Sequence, residues 1–201
     1  MQKYRQKDVK IIADKPIRDG FLSIHQVTLQ HRLFAGGWSP VFQREVMERG
    51  NAVVVVPYDP VKDTLVVLEQ FRIGAMKGEE SPWLLEFVAG MYDSVHESAE
   101  QVAHRELAEE AGLTTTQLHY ALNYLSTPGG CTERITIFVA LVDSDSAATH
   151  GGLASEHEDI RVHVVPFTEV VQLLERGKIN NAASVIGLQW LQLHKHRFKQ
   201  A

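Results

Sequence analysis

The stretch GMYDSVHESAEQVAHRELAEEAGL, Gly90–Leu113, sets Glu97, Glu100, Glu106, Glu109 and Glu110 in one run with Arg105 among them. Ser98 followed by Gln101 is a capping-box pattern, so a helix is expected to begin near Ala99. Gly112 stands where such a helix stops. Within it Val102, Ala103 and Leu107 can face a core, Glu106 and Glu110 share a face one turn apart, and Arg105 can pair with Glu109. The ordinary reading of a charge run is a solvated face whose salt bridges are individually worth little. Two features argue against it here. Acids outnumber bases, so like charges at i and i+4 repel, and acids late in a helix oppose its macrodipole. A divalent cation relieves both, because hard cations such as Mg2+ take carboxylate and phosphate oxygens.

Working outward, residues 8–34 alternate as strands, with a change of parity at His25-Gln26 that suggests a bulge. Gly36-Gly37 marks a turn, and Phe42–Glu48 alternates again. Ala52–Pro57 and Thr64–Phe71 read as strands joined through Tyr58–Asp63. Trp83–Val88 reads as one short apolar strand carrying Glu86, and Leu118–Ser126, Arg134–Val142 and Ile160–Val165 as further strands. Asp143–Asp159 is a long polar loop of the kind that is usually functional or disordered. Thr168–Arg176 and Ala182–Arg197 are expected helices, capped by Thr168 and Asn181. The second carries an apolar face of Val185, Ile186, Trp190, Leu191 and Leu193. Strands first, one central helix, then strands and terminal helices give a mixed α/β sandwich rather than a regular βα alternation.

The chain has 201 residues, 44% of them hydrophobic, with a net charge of −5. That is enough to bury a core, and it argues against nucleic acid or a membrane surface as partner, which would want a basic patch. The single cysteine, Cys131, excludes an internal disulfide. The opening MQKYRQKDVKIIADK lacks the apolar segment of a secretory signal, so the expected location is cytoplasmic.

Arg105-Glu106-Leu107-Ala108-Glu109-Glu110-Ala111-Gly112-Leu113 resembles the R-E-U-x-E-E-x-G-U half of the Nudix box, with U an aliphatic residue. Glu97 lies eight before Arg105, as that box has it; Gly90 lies seven before Glu97, one more than the box has. PWLLEFVAGM, STPGGCTER, SEHEDIRVHVV and INNAASVIGLQWLQLH extend the resemblance over most of the chain, to the bacterial ADP-ribose pyrophosphatase branch of the family.

The resemblance implies an α/β fold, a Nudix-type α/β/α sandwich of mixed sheets with an N-terminal antiparallel strand lobe. Residues 1–50 would form that lobe, exchanged in a homodimer, and 51–201 the hydrolase domain. It implies Mg2+ or Mn2+ held by Glu106, Glu110, Glu158 and the Ala89 carbonyl, with Glu109 a ligand or a neighbouring acid. Glu97 would brace Arg105, and Glu156 would be the general base. The implied reaction is hydrolysis of the diphosphate of ADP-ribose, or of a close nucleoside diphosphate sugar, to AMP and ribose 5-phosphate. Arg72 would reach a phosphate, Arg44 and Glu86 the nucleoside, and Phe21 would stack on adenine. Met91, Thr127 and Glu133 would line the remainder. Two alternatives stand beside this. Another sugar nucleotide such as GDP-mannose would be decided around Phe21, Arg44 and Glu86. A non-catalytic Nudix-fold regulator would be expected to lose box glutamates, yet Glu106, Glu109 and Glu110 are all present. The extra residue in Tyr92–His96 precedes the helix, so a bulged loop is expected there with the Ala89 carbonyl still facing the metals. An insertion within the helix would instead turn every later carboxylate by about 100°.

Overall fold

A computed structural model of the chain describes residues 3–78, 80–94 and 96–198. The chain forms two compact units, one taking residues up to Gly50 together with Leu125–Arg134, the other Asn51–Tyr124 with the chain from Ile135 on.

In the first unit β1 (Val9–Arg18), β2 (Ser23–His31) and β3 (Phe42–Glu48) make an antiparallel sheet in that order. β2 runs in unbroken register on β3 from Ser23↔Glu48 to Leu29↔Phe42. The irregularities lie in β1, between Ile11 and Ala13 and between Pro16 and Arg18. The bulge expected at His25-Gln26 is therefore carried by the strand opposite. β2 itself is half-buried on both parities, so its apolar residues find cover without a slip. Gly36 and Gly37 turn the chain at φ of 98° and 77°, a region that costs an L side chain energy.

The second unit is organised by β4 (Ala52–Asp59) and β5 (Thr64–Phe71). They pair only at the closed end of their hairpin, Tyr58↔Leu65 and Asp59↔Thr64. The turn is fixed by the buried Asp59 carboxylate, which accepts from the N–H groups of Val61, Lys62 and Ser144 and from the Ser144 hydroxyl. Beyond that end β6 (Trp83–Glu86) pairs with β5 and β7 (Val88–Met91) with β4. The single strand expected over Trp83–Val88 is thus two, broken at Phe87. Phe87 at the break is as apolar as Leu84, Leu85 and Val88 beside it, so hydropathy could not reveal the break. Phe87 is buried, and its N–H, which leaves the ladder, donates to Ser184 Oγ at 3.2 Å.

Helix α1 (Ala99–Ala111) follows, then β8 (Gln117–Leu125), β9 (Arg134–Leu141), the two-residue β10 (His150–Gly151) and β11 (Ile160–Pro166). β9 lies parallel to β4, with β8 beyond it, and β11 lies antiparallel on β5, so the sheet is mixed. The segment expected as one loop over Asp143–Asp159 holds β10 and single 3-10 turns at Ser144–Ser146 and Ala154–Glu156. The chain closes with α2 (Phe167–Glu175) and α3 (Ala182–His194). Val53, Val55, Val66 and Leu68 face α1, packing on Val102, Ala103 and Leu107. The alternate residues Val54, Val56, Leu65 and Val67 pack with Val170, Leu188 and Leu191 of α2 and α3. Period-two alternation in strands buried on both faces thus yields the α/β/α sandwich. No helix among the described residues is long and apolar enough to cross a membrane.

Of the apolar face expected on α3, Val185, Ile186, Trp190 and Leu191 pack in the core; the departures are the start of α2 and the exposure of Leu193. α2 begins at Phe167, one residue before the expected cap Thr168, and has no side-chain cap because its N-cap residue is Pro166, which carries no side-chain acceptor; the Phe167 N–H donates to the Asp63 carbonyl at 2.9 Å. α3 buries Ser184, Gly187, Leu188 and Leu191, while Leu193 is 73% exposed. Gly187 sets this orientation, since a Cβ there would lie 2.8 Å from Val56 Cγ2. Asn181 caps α3 as expected, its Oδ1 accepting from the Ser184 N–H at 3.0 Å. The Ser184 hydroxyl therefore joins α3 to the break between β6 and β7. Ser184→Ala should leave the Phe87 N–H buried without an acceptor and cost about 1–3 kcal/mol, read as a lower urea midpoint at unchanged m-value.

Candidate active site

α1 carries the carboxylates. Ser98 Oγ accepts from the Gln101 N–H at 3.2 Å and Gln101 Oε1 accepts from the Ser98 N–H at 2.7 Å, so the expected capping box is formed. Gly112 ends the helix at φ 65°, with the Leu113 N–H returning to the Leu107 carbonyl. These two ends fix the register that buries Val102, Ala103, Leu107 and Ala111, and with them Glu110, which is only 1% exposed.

The Glu110 carboxylate lies against β7, where Oε2 accepts from the Ala89 N–H at 2.8 Å. In an extended residue the N–H and C=O point to one strand edge. The Ala89 carbonyl therefore faces the same side as its N–H. Val95, within that loop, lies outside the described residues. Glu106 lies over the next residue of β7. A Cβ on Gly90 would overlap its carboxylate, so glycine is needed there for close approach. Gly151 plays the same part for β10, whose added Cβ would overlap the Glu110 carbonyl.

Arg105 collects the surrounding acids. Its Nη1 donates to Glu106 Oε1 at 2.6 Å and to Glu109 Oε2 at 3.3 Å. Nε donates to Glu97 Oε1 at 3.1 Å, and Nη2 to the Met91 carbonyl at 2.9 Å. Asp93, in the lengthened loop, brings a further carboxylate to 3.3 Å from Nε, and its N–H donates to Glu97 Oε2. Asp93 is not recognisable from the sequence, because an acid in a polar loop carries no signal of what it touches. Burial works against the Arg105 charge, but Glu97 and Glu106 outweigh it and hold the group above its ordinary range. Hydrogen bonds from Arg105 and from the Asp93 N–H hold the Glu97 carboxyl below its ordinary value.

One arginine does not neutralise this many acids. Burial raises the Glu106 carboxyl to about 7, against the pull of Arg105. Burial raises Glu110 to about 8, with the charges of Glu106 and Glu158 adding to the effect. Glu158 is half-buried, and its charge acts on both helix acids. Glu156 is exposed, at the end of its 3-10 turn, and His157 follows at φ 59°. Among the described residues no three His, Cys, Asp or Glu side chains converge as a ready ligand group. Glu106 is turned to Arg105 and Glu110 to Ala89. The donor set still fits a hard cation: desolvated carboxylates with raised proton affinity, on one face, around a strand carbonyl.

Arg72 and Glu86 were expected to serve phosphate and nucleoside separately. They are paired instead, with Arg72 Nε and Nη2 each 2.8 Å from Glu86 Oε2. The remaining expected residues lie in the first unit. Phe21 is 83% exposed, as stacking would require. The Arg44 guanidinium sits over the Phe42 ring, 4.7 Å from its centroid. Thr127 accepts at its carbonyl from the N–H groups of Gly130 and Cys131 in a tight turn. Glu133 is buried, with Oε1 3.3 Å from Arg49 Nε.

The model of the NUDIX domain family matches residues 48–187. An ADP-ribose pyrophosphatase of Escherichia coli (strain K12) is 50% identical over 98% of this chain and 93% of its own length. A GDP-mannose pyrophosphatase of Escherichia coli O1:K1 / APEC is 30% identical over 93% of this chain and 96% of its own. Among solved structures, one described as an ADP compounds hydrolase superposes with a TM-score of 0.74 at 24% identity, covering 98% of each chain, a likeness of fold. With the family matched across the box helix and the mixed sheet of the second unit, and a relative half identical over nearly the whole chain, this chain belongs to the Nudix family, as a pyrophosphohydrolase.

Proposed function

We propose that the chain hydrolyses the diphosphate of ADP-ribose, adding water across one P–O bond of the bridge to release AMP and ribose 5-phosphate. The observation that carries the chemistry is the pairing of half-buried Glu106 with buried Glu110, two carboxylates desolvated side by side with too little positive charge around them. The substrate is supported by the relative that is half identical over nearly the whole chain and named for ADP-ribose. The GDP-mannose relative is more distant.

Glu106, Glu110, Glu158 and the Ala89 carbonyl would hold Mg2+ or Mn2+, with Glu109 beside them. A divalent cation there would polarise phosphoryl oxygens and acidify a bound water. Arg105, braced by Glu97, holds Glu106 and Glu109 in position. Arg72 would exchange its Glu86 partner for a phosphate oxygen, for which its planar fork is suited. Glu86 is then freed to accept hydrogen bonds from the nucleoside. Glu156 would take the proton of the attacking water from its exposed position at the end of the 3-10 turn. Phe21 would stack on adenine, with Arg44, Met91, Thr127 and Glu133 lining the site. In this reading the chain works as a cytoplasmic homodimer whose N-terminal strands are exchanged, so that Phe21, Arg44 and Glu133 serve a shared site.

The assay is release of AMP from ADP-ribose with Mg2+, run beside GDP-mannose. Wild type should prefer ADP-ribose, and Glu110→Gln should lose at least about 100-fold in kcat. An unchanged rate in Glu110→Gln would remove the metal assignment, and a preference for GDP-mannose would change the substrate.

Proton linkage supplies a second prediction. Glu106 and Glu110 titrate near 7 and 8 in the folded chain, against about 4.3 for an unperturbed Glu. Between those limits the folded chain binds more protons than the unfolded one, so their contribution to stability is present at low pH and lost as pH rises. In chelator the melting temperature should fall from pH 5 to pH 8, and Glu110→Gln should flatten that fall. Mg2+ should restore more stability at pH 8 than at pH 5, because it competes with protons.

A further inference from the structure

Gln70 is the polar residue of this face that the roles above do not use. It is 4% exposed, and its Nε2 is buried with no hydrogen-bond partner among the described residues. A buried amide donor is rarely left so in a folded protein, and each exception asks for an explanation.

The strand fixes where the amide lies. Leu68, two residues earlier on β5, packs in the core against α1. Glu69 and Phe71 turn the other way, Glu69 to His163 Nε2 at 2.9 Å and Phe71 to the Trp83 ring at 5.5 Å between centroids. Gln70 therefore shares the α1 face with Leu68. Arg72 keeps extended geometry, φ −128° and ψ 114°, so the alternation carries through it and sets Arg72 on the face of Gln70. Across the ladder Gln70 is opposite Leu84 and Leu68 opposite Glu86, which makes Glu86 a diagonal neighbour of Gln70. Arg72 reaches back to Glu86 along this row. Its charge is also felt at Glu110. The free amide thus belongs to the carboxylate-bearing face of the sheet, beside the arginine assigned to phosphate.

We propose that the Gln70 side-chain amide is a diphosphate-binding donor, giving its Nε2–H to a phosphoryl oxygen held at the same time by Arg72. The inference rests on the diphosphate-hydrolase reading above and adds to it a residue for the same site. The chemistry suits an anionic oxygen. Arg72 is held by Glu86 as an ion pair, whereas the neutral amide has no charge for a nearby acid to neutralise. It adds directional recognition without adding charge. The donor stays unpartnered when no diphosphate is bound because the nearby acids are engaged elsewhere: Glu86 with Arg72, Glu110 with Ala89, Glu106 with Arg105.

The test compares wild type with Gln70→Met, which keeps length and approximate volume but removes the donor. The first readout is a thermal-shift titration with inorganic pyrophosphate in the presence of Mg2+. Half-saturation should rise about 10- to 100-fold in Gln70→Met, the loss expected of a hydrogen bond to a charged oxygen. The kcat/KM for ADP-ribose should fall by a similar factor. The ligand-free melting temperature should not fall, because the donor removed had no partner; a merely structural glutamine would behave the opposite way. If Gln70→Met does not fold, Gln70→Asn withdraws the amide by one methylene and should show the same weakening. Coincident pyrophosphate curves, or no saturable shift in wild type, overturn the proposal. A wild type that binds pyrophosphate but leaves ADP-ribose intact overturns the substrate reading, and the titration still decides Gln70.

Discussion

The Glu110 carboxylate is buried between α1 and β7 and accepts there a hydrogen bond from the Ala89 N–H. A carboxylate in that position is costly, and the neighbouring structure is arranged around the cost. Ser98 and Gly112 set the two ends of the helix, and so decide that Glu110 faces inward with Leu107 rather than outward with Glu100. Gly90 and Gly151 let strand backbone approach where any side chain would collide with Glu106 or with the Glu110 backbone. The divergence of β4 and β5 beyond their hairpin opens the space into which β6 and β7 fit, and so puts the Ala89 amide where Glu110 can use it.

Arg105 is the counterweight. It joins the β7 carbonyl of Met91, the loop acids Asp93 and Glu97, and the helix acids Glu106 and Glu109. An exposed pair would contribute little, but this one is half-sheltered and shared among several carboxylates. Arg105 thus does two things that are hard to separate. It ties the loop before the helix to the helix itself, and it lowers the repulsion among acids that a cation would otherwise have to relieve. The lengthened loop adds Asp93 to this set, so the insertion brings a carboxylate to the braced side of the helix and leaves the register from Glu97 onward intact.

The capping box, the glycine stop and the shared face of Glu106 and Glu110 were legible in Gly90–Leu113 because they depend on spacing along one helix, whereas the burial of Glu110 depends on β7. Most strands of the main sheet were legible for the same reason. What escaped depended on contacts between segments distant in sequence. The break at Phe87 is satisfied by Ser184, far along the chain. The Phe167 N–H donates to the Asp63 carbonyl, and α2 starts there with Pro166 as its N-cap residue, so Thr168 lies inside the helix. Gly187 turned α3 so that Leu193, read as core, faces water. The bulge was sensed in the right hairpin but assigned to the wrong strand, since parity within β2 cannot say which of two partners carries an extra residue. In the site, Arg72 and Glu86 each had a proposed role of their own, and only the fold makes them partners.

That pairing bears on how a polyanionic substrate is received. A face carrying Glu86, Glu106, Glu110 and Glu158 repels a diphosphate unless its negative charge is already met. Cations bound by the helix acids would reverse the sign of one part of the face. Arg72, moving off Glu86, would supply the other, at the cost of leaving Glu86 in need of a donor. A nucleoside that presents hydrogen-bond donors would satisfy Glu86 at the same step. Diphosphate and nucleoside recognition are then linked through one ion pair. A ligand bearing only one of the two groups leaves either Arg72 or Glu86 without a full partner, and so gains less than its own contacts would suggest. Selectivity for a whole sugar nucleotide over its fragments would arise from this exchange rather than from a pocket shaped for either part alone.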